Sequence, residues 1–146
     1  SFFFFFFKKM MWLIIFLLFI LILSIIMSVG KFGGRQNRPG EMYLGDVWFA
    51  EVKSKNKTID TRPGPEGKFD SLEGKTITYF HKKDEVKVQC TKVIHYKTVK
   101  ELIKNEDLMK IAPHLGDDAA IKKNLLNYYT DDKIKEAGGI FAIHFK

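Results

Sequence analysis

Cysteine, charge imbalance and ligand-spaced histidine are all scarce in this chain. A single cysteine, Cys90, among 146 residues excludes an internal disulfide. It sits in a β-like run, where a small buried hydrophobe is expected. The four histidines, His81, His95, His114 and His144, show no metal-ligand spacing with one another or with Cys90, so neither a metal nor a cofactor is expected. The formal charge of +7 is unevenly spread. Residues 1–41 hold five basic residues to one acid, which leaves 19 to 16, or +3, for residues 42–146. That excess is compatible with a nucleic-acid partner without demanding one.

Charge is missing altogether from residues 10–29, where Ser24 and Ser28 are the only polar side chains. Twenty helical residues span about 30 Å, the thickness of a bilayer's hydrocarbon core, so a single transmembrane-like helix is expected within residues 1–30. Trp12 near one end, with Lys8 and Lys9 outside it, fits an interfacial anchor. A secretory signal would have a shorter apolar run, although Ser28-Val29-Gly30 resembles a cleavage site. Lys31, Arg35 and Arg38 outnumber Lys8 and Lys9, which places the C-terminal domain on the cytoplasmic side. An alternative reading treats the opening phenylalanines as an artefact of gene calling. Translation from Met42 would then give a cytoplasmic domain of residues 42–146.

Residues 31–41, rich in glycine and arginine, read as a linker. Beyond it the patterns alternate between strand and helix. Asp46 is expected to cap a helix through residues 47–53. Pro63 to Lys68 must form a loop, because two prolines and two glycines prevent regular pairing. Lys75 to Phe80 reads as a strand, followed by a polar hairpin over residues 82–85 and inward-facing Val86, Val88 and Cys90. Val93 and Ile94 are out of phase with Cys90, which predicts a bulge near Thr91 or Lys92 and a strand bent toward a barrel. Thr98 and Glu101 form a capping box, Leu108 to Ile111 add a helical turn before Pro113, and Asp117 or Asp118 caps a longer helix. The aspartates at 131 and 132 also read as caps. Residues 140–145 are apolar on both faces, as a central strand requires. The fold class is α+β.

The stretch from Ser54 to Pro63 carries the densest chemistry. It sets two lysines, an acid and an arginine around Ile59. Alternation puts Thr58, Asp60 and Arg62 on one face, with Lys57 at the entry where a turn can swing it either way. Asp60 and Arg62 are then about 7 Å apart, which suits gripping a small polar group rather than neutralising each other. Read blandly, the run is a solvated strand with an ordinary ion pair.

Several of these features together resemble an ASCH domain, a small β-barrel family related to PUA domains. They are Trp48-Phe49 ahead of Lys57-Thr58-Ile59-Asp60-Thr61-Arg62, the 74–80 strand, Tyr96, Asn105 to Leu108, Tyr128-Tyr129-Thr130 and Gly139 to Ile143. The resemblance covers residues 42–146. Lys57 and Arg62 match the family's Gly-x-Lys-x-x-Glu-x-Arg pattern, whereas Asn56 lies near its glycine and Asp60 replaces its glutamate.

What the resemblance implies is a small PUA-like β-barrel with flanking helices and a cleft that binds RNA or a nucleotide. Lys57, Thr58, Asp60, Arg62, Lys68 and Tyr96 are the expected ligand-binding residues. One bacterial branch deacetylates N4-acetylcytidine with a lysine, a threonine and a glutamate. The alternative is thus an amidohydrolase on a modified nucleoside, with Lys57 as base and Asp60 as acid, although that branch's threonine position falls on Asp60 here. A further alternative is a membrane-tethered interaction domain with a vestigial cleft.

Overall fold

The computed structural model describes residues 2–29, 38 and 40–146, and the backbone alone for 23–29. It divides into two units, residues 1–36 and 37–146. Of the expected linker, residues 31–37 and 39 lie outside the described residues.

The described residues of the first unit form one helix, α1 (Phe2–Val29). No proline or glycine interrupts residues 2–29, so nothing stops the helix from taking in the phenylalanine run. Lys8 and Lys9, expected outside it, therefore lie within it. All side chains from Phe2 to Ile22 are exposed, and this segment is long and apolar enough to cross a bilayer.

The second unit runs β1 (Glu41–Tyr43), α2 (Asp46–Lys53), β2 (Ile59–Pro63), β3 (Thr76–His81), β4 (Asp84–Tyr96), α3 (Val99–Asn105), α4 (Leu108–Ile111), α5 (Asp118–Tyr128), α6 (Asp131–Ala137) and β5 (Ile140–Phe145). The strands form one five-stranded mixed sheet in the order β1-β3-β4-β5-β2, with β1–β3 parallel and the other pairs antiparallel. The α+β class holds. By main-chain pairing the sheet is open, with β1 and β2 as its edges. A side chain bridges them: Arg62 Nη2 on β2 donates to the Tyr43 carbonyl on β1 at 2.8 Å.

Long β4 reaches both β3 and β5 because it changes register between Cys90 and Lys92, where the bulge was expected. Central β5 has two apolar faces because it serves two cores. Ile140 and Ala142 pack with Ile59 and the helical residues Leu102, Ile121 and Leu125. Phe141, Ile143 and Phe145 pack with Ile77, Tyr79, Val88 and Cys90.

Several caps follow local chemistry. Thr98 accepts from Glu101 N at 3.1 Å, while the Glu101 carboxylate accepts from Lys97 N at 3.0 Å. Asp117 accepts from Ala120 N at 2.8 Å. Two caps differ from expectation. Gly45 precedes α2, so Asp46 becomes its first residue and lies 3.7 Å from His81 Nε2. Thr130 caps α6, which moves Asp131 and Asp132 into its first turn, where acids still favour the helix dipole.

One glycine is dictated by close approach. Gly139 has φ +127°, and a Cβ there would stand 2.3 Å from His95 Nε2. Gly139 O accepts from Gly64 N at 3.0 Å, and the His95 ring meets Gly64 O at 3.1 Å. This clasp holds the start of the loop after β2.

Candidate functional site

Lys57 reaches the interior because the chain turns sharply after α2. Lys55 adopts φ +66°, a left-handed conformation uncommon outside glycine, and both Asn56 N and Lys57 N donate to Glu51 O. The ammonium is only 1% exposed. It donates to Ile59 O at 2.6 Å and to Ile111 O at 2.8 Å, and lies 3.5 Å from Asp60 Oδ1. Ile111 is the last residue of α4, so the cation also sits on that helix's negative end. The Trp48 ring centroid is 5.1 Å from Nζ.

Asp60 and Arg62 do not hold apart as expected. Arg62 Nε donates to Asp60 Oδ2 at 2.8 Å, because the long arginine side chain folds back over the two-residue strand spacing. Their side chains are 6% and 27% exposed respectively. Burial by itself would push the Asp60 carboxyl up, but Arg62 and then Lys57 outweigh it and hold it below the ordinary carboxylate range. For Lys57 burial wins over Asp60 and lowers the amine below its usual value. Arg62 is raised, since Asp60 outweighs burial.

Two tyrosines complete the surroundings. The Tyr79 hydroxyl is buried near the Asp60 carboxylate but reaches no partner at hydrogen-bond geometry among the described residues. Burial first, then the Asp60 charge, push its ionisation well above the usual range. Tyr129 OH donates to Thr61 O at 3.0 Å and lies 3.1 Å from Thr61 Oγ1. Burial pushes it up to about 12.

Beside these groups is a hollow of about 530 Å³, lined in part by Lys57, Asp60, Arg62, Tyr43, Trp48 and Tyr128. Lys57 contributes wall rather than reach, because its ammonium is engaged. The guanidinium keeps N–H groups beyond the two that bind Asp60 and Tyr43 O. Tyr43 and Tyr128 are exposed at 49% and 65% and flank it with ring surface. Arg62 is therefore the cation this hollow can present to a ligand.

Thr58, Lys68 and Tyr96 fall outside it. Thr58 is engaged through its backbone, donating to Lys110 O and accepting from Phe145 N, both at 3.0 Å. Lys68 lines a second hollow, which shares Arg62 and Pro63 with the first. Tyr96 donates to Glu106 at 2.6 Å and packs against the helical core. Sequence reasoning missed Tyr43, Tyr79, Tyr128 and Tyr129 as neighbours of the lysine. Only the pairing of Tyr128-Tyr129 hinted at a role.

The fold and site thus define an α+β domain with a polar seam between the edge strands of a mixed sheet. No protein-family model matches the chain, nor does any curated protein. Among solved structures, the crystal structure of the hypothetical protein PH0355 is similar at a TM-score of 0.58 and 23% identity, over 73% of this chain and 95% of that one. The solution structure of protein PF0455 from Pyrococcus furiosus gives a TM-score of 0.51 at 23% identity, over 73% and 94% of the two chains. Likeness at this level concerns the fold alone.

Proposed function

We propose that residues 42–146 form an ASCH-like, PUA-related domain that binds RNA or a nucleotide in the hollow beside Arg62. The observation that carries this reading is the charge and ring content of one concave site. Two cations face a single carboxylate, so the site has net positive charge. A partly exposed guanidinium offers N–H groups to phosphate or a base edge, and exposed tyrosines offer stacking faces. The volume suits a nucleotide-sized ligand. Asp60 works here chiefly as the counter-charge that orients Arg62.

Titrating nucleoside monophosphates and a short single-stranded RNA into the protein tests this. Tyr128→Ala is expected to weaken RNA binding by about 1–3 kcal/mol, the usual worth of one stacked base. Arg62→Met is expected to abolish most of the salt-sensitive part of nucleoside monophosphate binding. Wild-type affinity in both variants would refute the proposal.

The amidohydrolase reading retains one observation: the Lys57 amine is lowered by burial and lines the hollow, as a catalytic base requires. Against it, Nζ is turned to two carbonyls and a carboxylate, acceptors that favour the ammonium, which has no lone pair for a base to use. Binding therefore ranks first. Chromatographic detection of cytidine from N4-acetylcytidine, lost in Lys57→Met, would reverse the order. We further propose that α1 anchors the chain in a bilayer with the second unit on the cytoplasmic side. Recovery of the protein from cells without detergent would sink that assignment.

A further inference from the structure

The second hollow, about 690 Å³, lies at the same seam. It is bounded by the loop after β2, the start of β3 and the outer edge of β1. Its lining carries four cations, Arg38, Arg62, Lys68 and Lys75, against one acid, Glu41. Met42, Phe69 and Leu72 contribute apolar wall. Counting both hollows, five cations and two acids give +3. Residues 37–146 as a whole hold 20 basic and 17 acidic residues, again +3. The remaining surface is therefore charge-balanced, and the domain's whole excess sits at this seam. Of the nearby acids that do not line the hollow, Glu73 is turned to β4, where it accepts from Val93 N at 3.1 Å.

The two hollows are continuous through Arg62 and Pro63, which line both. A ligand filling only the aromatic hollow would leave Arg38, Lys68 and Lys75 unused. A polyanion with regularly spaced charges would use all of them. We infer that the second hollow is a track for the phosphodiester backbone of single-stranded RNA, which delivers one nucleotide into the aromatic hollow while flanking phosphates lie along Lys68 and Lys75. This rests on the proposed nucleotide-binding reading and narrows it: the substrate is an oligonucleotide rather than a free nucleoside. Backbone contacts of this kind give affinity without sequence choice, which leaves selectivity to the aromatic hollow.

The test uses the full chain in neutral detergent with three probes: nucleoside monophosphates, a single-stranded octaribonucleotide, and glycerophosphoglycerol, the water-soluble headgroup of an anionic lipid. Each neutralised phosphate on a single strand contributes about 0.7 to the logarithmic salt slope. Three extra phosphates should steepen the octanucleotide's slope by about 2 relative to the monophosphate, a further loss of roughly 20-fold between 50 and 200 mM salt. Lys68 and Lys75 are exposed, so Lys68→Gln with Lys75→Gln should preserve the thermal melt. The pair should remove about 1.4 of the slope and leave monophosphate affinity within about twofold. If monophosphates bind but the octanucleotide has no steeper slope, or the double variant does not change it, the track is wrong and the nucleotide site stands. If neither nucleotide probe binds the wild type, both fall. Glycerophosphoglycerol binding that is lost in the double variant, with no octanucleotide increment, would give the hollow to lipid headgroups instead and overturn the inference.

Discussion

Replacing Lys57 with methionine should unfold much of the domain's margin, and the size of that loss decides what the lysine is for. The ammonium is 1% exposed, donates to two carbonyls at 2.6 and 2.8 Å, and lies 3.5 Å from a carboxylate that is itself buried. Methionine keeps the length and apolar contacts but strips donors from Ile59 O and Ile111 O and one counter-charge from Asp60. Removing one partner of a buried pair typically costs about 3–5 kcal/mol, a large part of the roughly 5–15 kcal/mol that holds a domain folded. Urea denaturation of residues 37–146, with m near 1.5 kcal/mol/M, should show a midpoint about 2–3 M lower and an unchanged slope. Asp60→Asn should cost a comparable amount. The double variant should cost less than the two singles together, by about 2–3 kcal/mol, because neither Lys57 nor Asp60 then remains buried without the other, while the loss at Arg62 is common to Asp60→Asn and the double variant. Should Lys57→Met fold on its own too poorly to measure, the comparison of Asp60→Asn with the double variant carries the same information. A loss below about 1 kcal/mol, or strict additivity, would refute the pinned lysine and favour an amine held in reserve for chemistry.

Other outcomes can be checked alongside. Asp60 has its folded-state ionisation below the ordinary 3.8, so its stabilisation is full above that value and is lost as pH falls through the lower one. The wild type minus Lys57→Met/Asp60→Asn stability difference should therefore shrink as pH falls below about 4 in acid titration by circular dichroism; an unchanged difference at pH 3 contradicts the depressed carboxyl. Gly139→Ala should lower stability by more than about 1 kcal/mol, because a left-handed backbone and a collision with His95 add together. A neutral melt for that variant would show that the clasp on Gly64 has slack.

The parts of the fold that were legible are those governed by period and by short-range hydrogen bonding. Residues 140–145 announced a central strand because both alternating sets are apolar, and the two cores on either side of β5 are what those sets bury. The slip in phase after Cys90 announced the bulge. Thr98 and Asp117 announced helix starts, since the groups they satisfy are three residues away. The same logic misassigned Asp46 and Asp131, where an equally good acid one residue further on is favourable within the first turn.

The site was legible in outline only. Lys57, Asp60 and Arg62 do converge beside a hollow, but Asp60 and Arg62 bind each other, a consequence of arginine's reach that strand spacing does not encode. Lys68 went to a second hollow and Tyr96 to Glu106, because loop direction and helix packing decide where those side chains point.

The amino-acid order by itself settled the apolar helix, the α+β alternation, the bulge and the polar strand, all of which depend on residues within a few positions of one another. Tertiary structure alone brought Ile111 O to a lysine 54 residues earlier, Tyr129 to Thr61 across 68 residues, and the Arg62 guanidinium across the unpaired edges of the sheet. Those contacts are made by how the helices and edge strands pack, and packing couples positions that no local pattern relates.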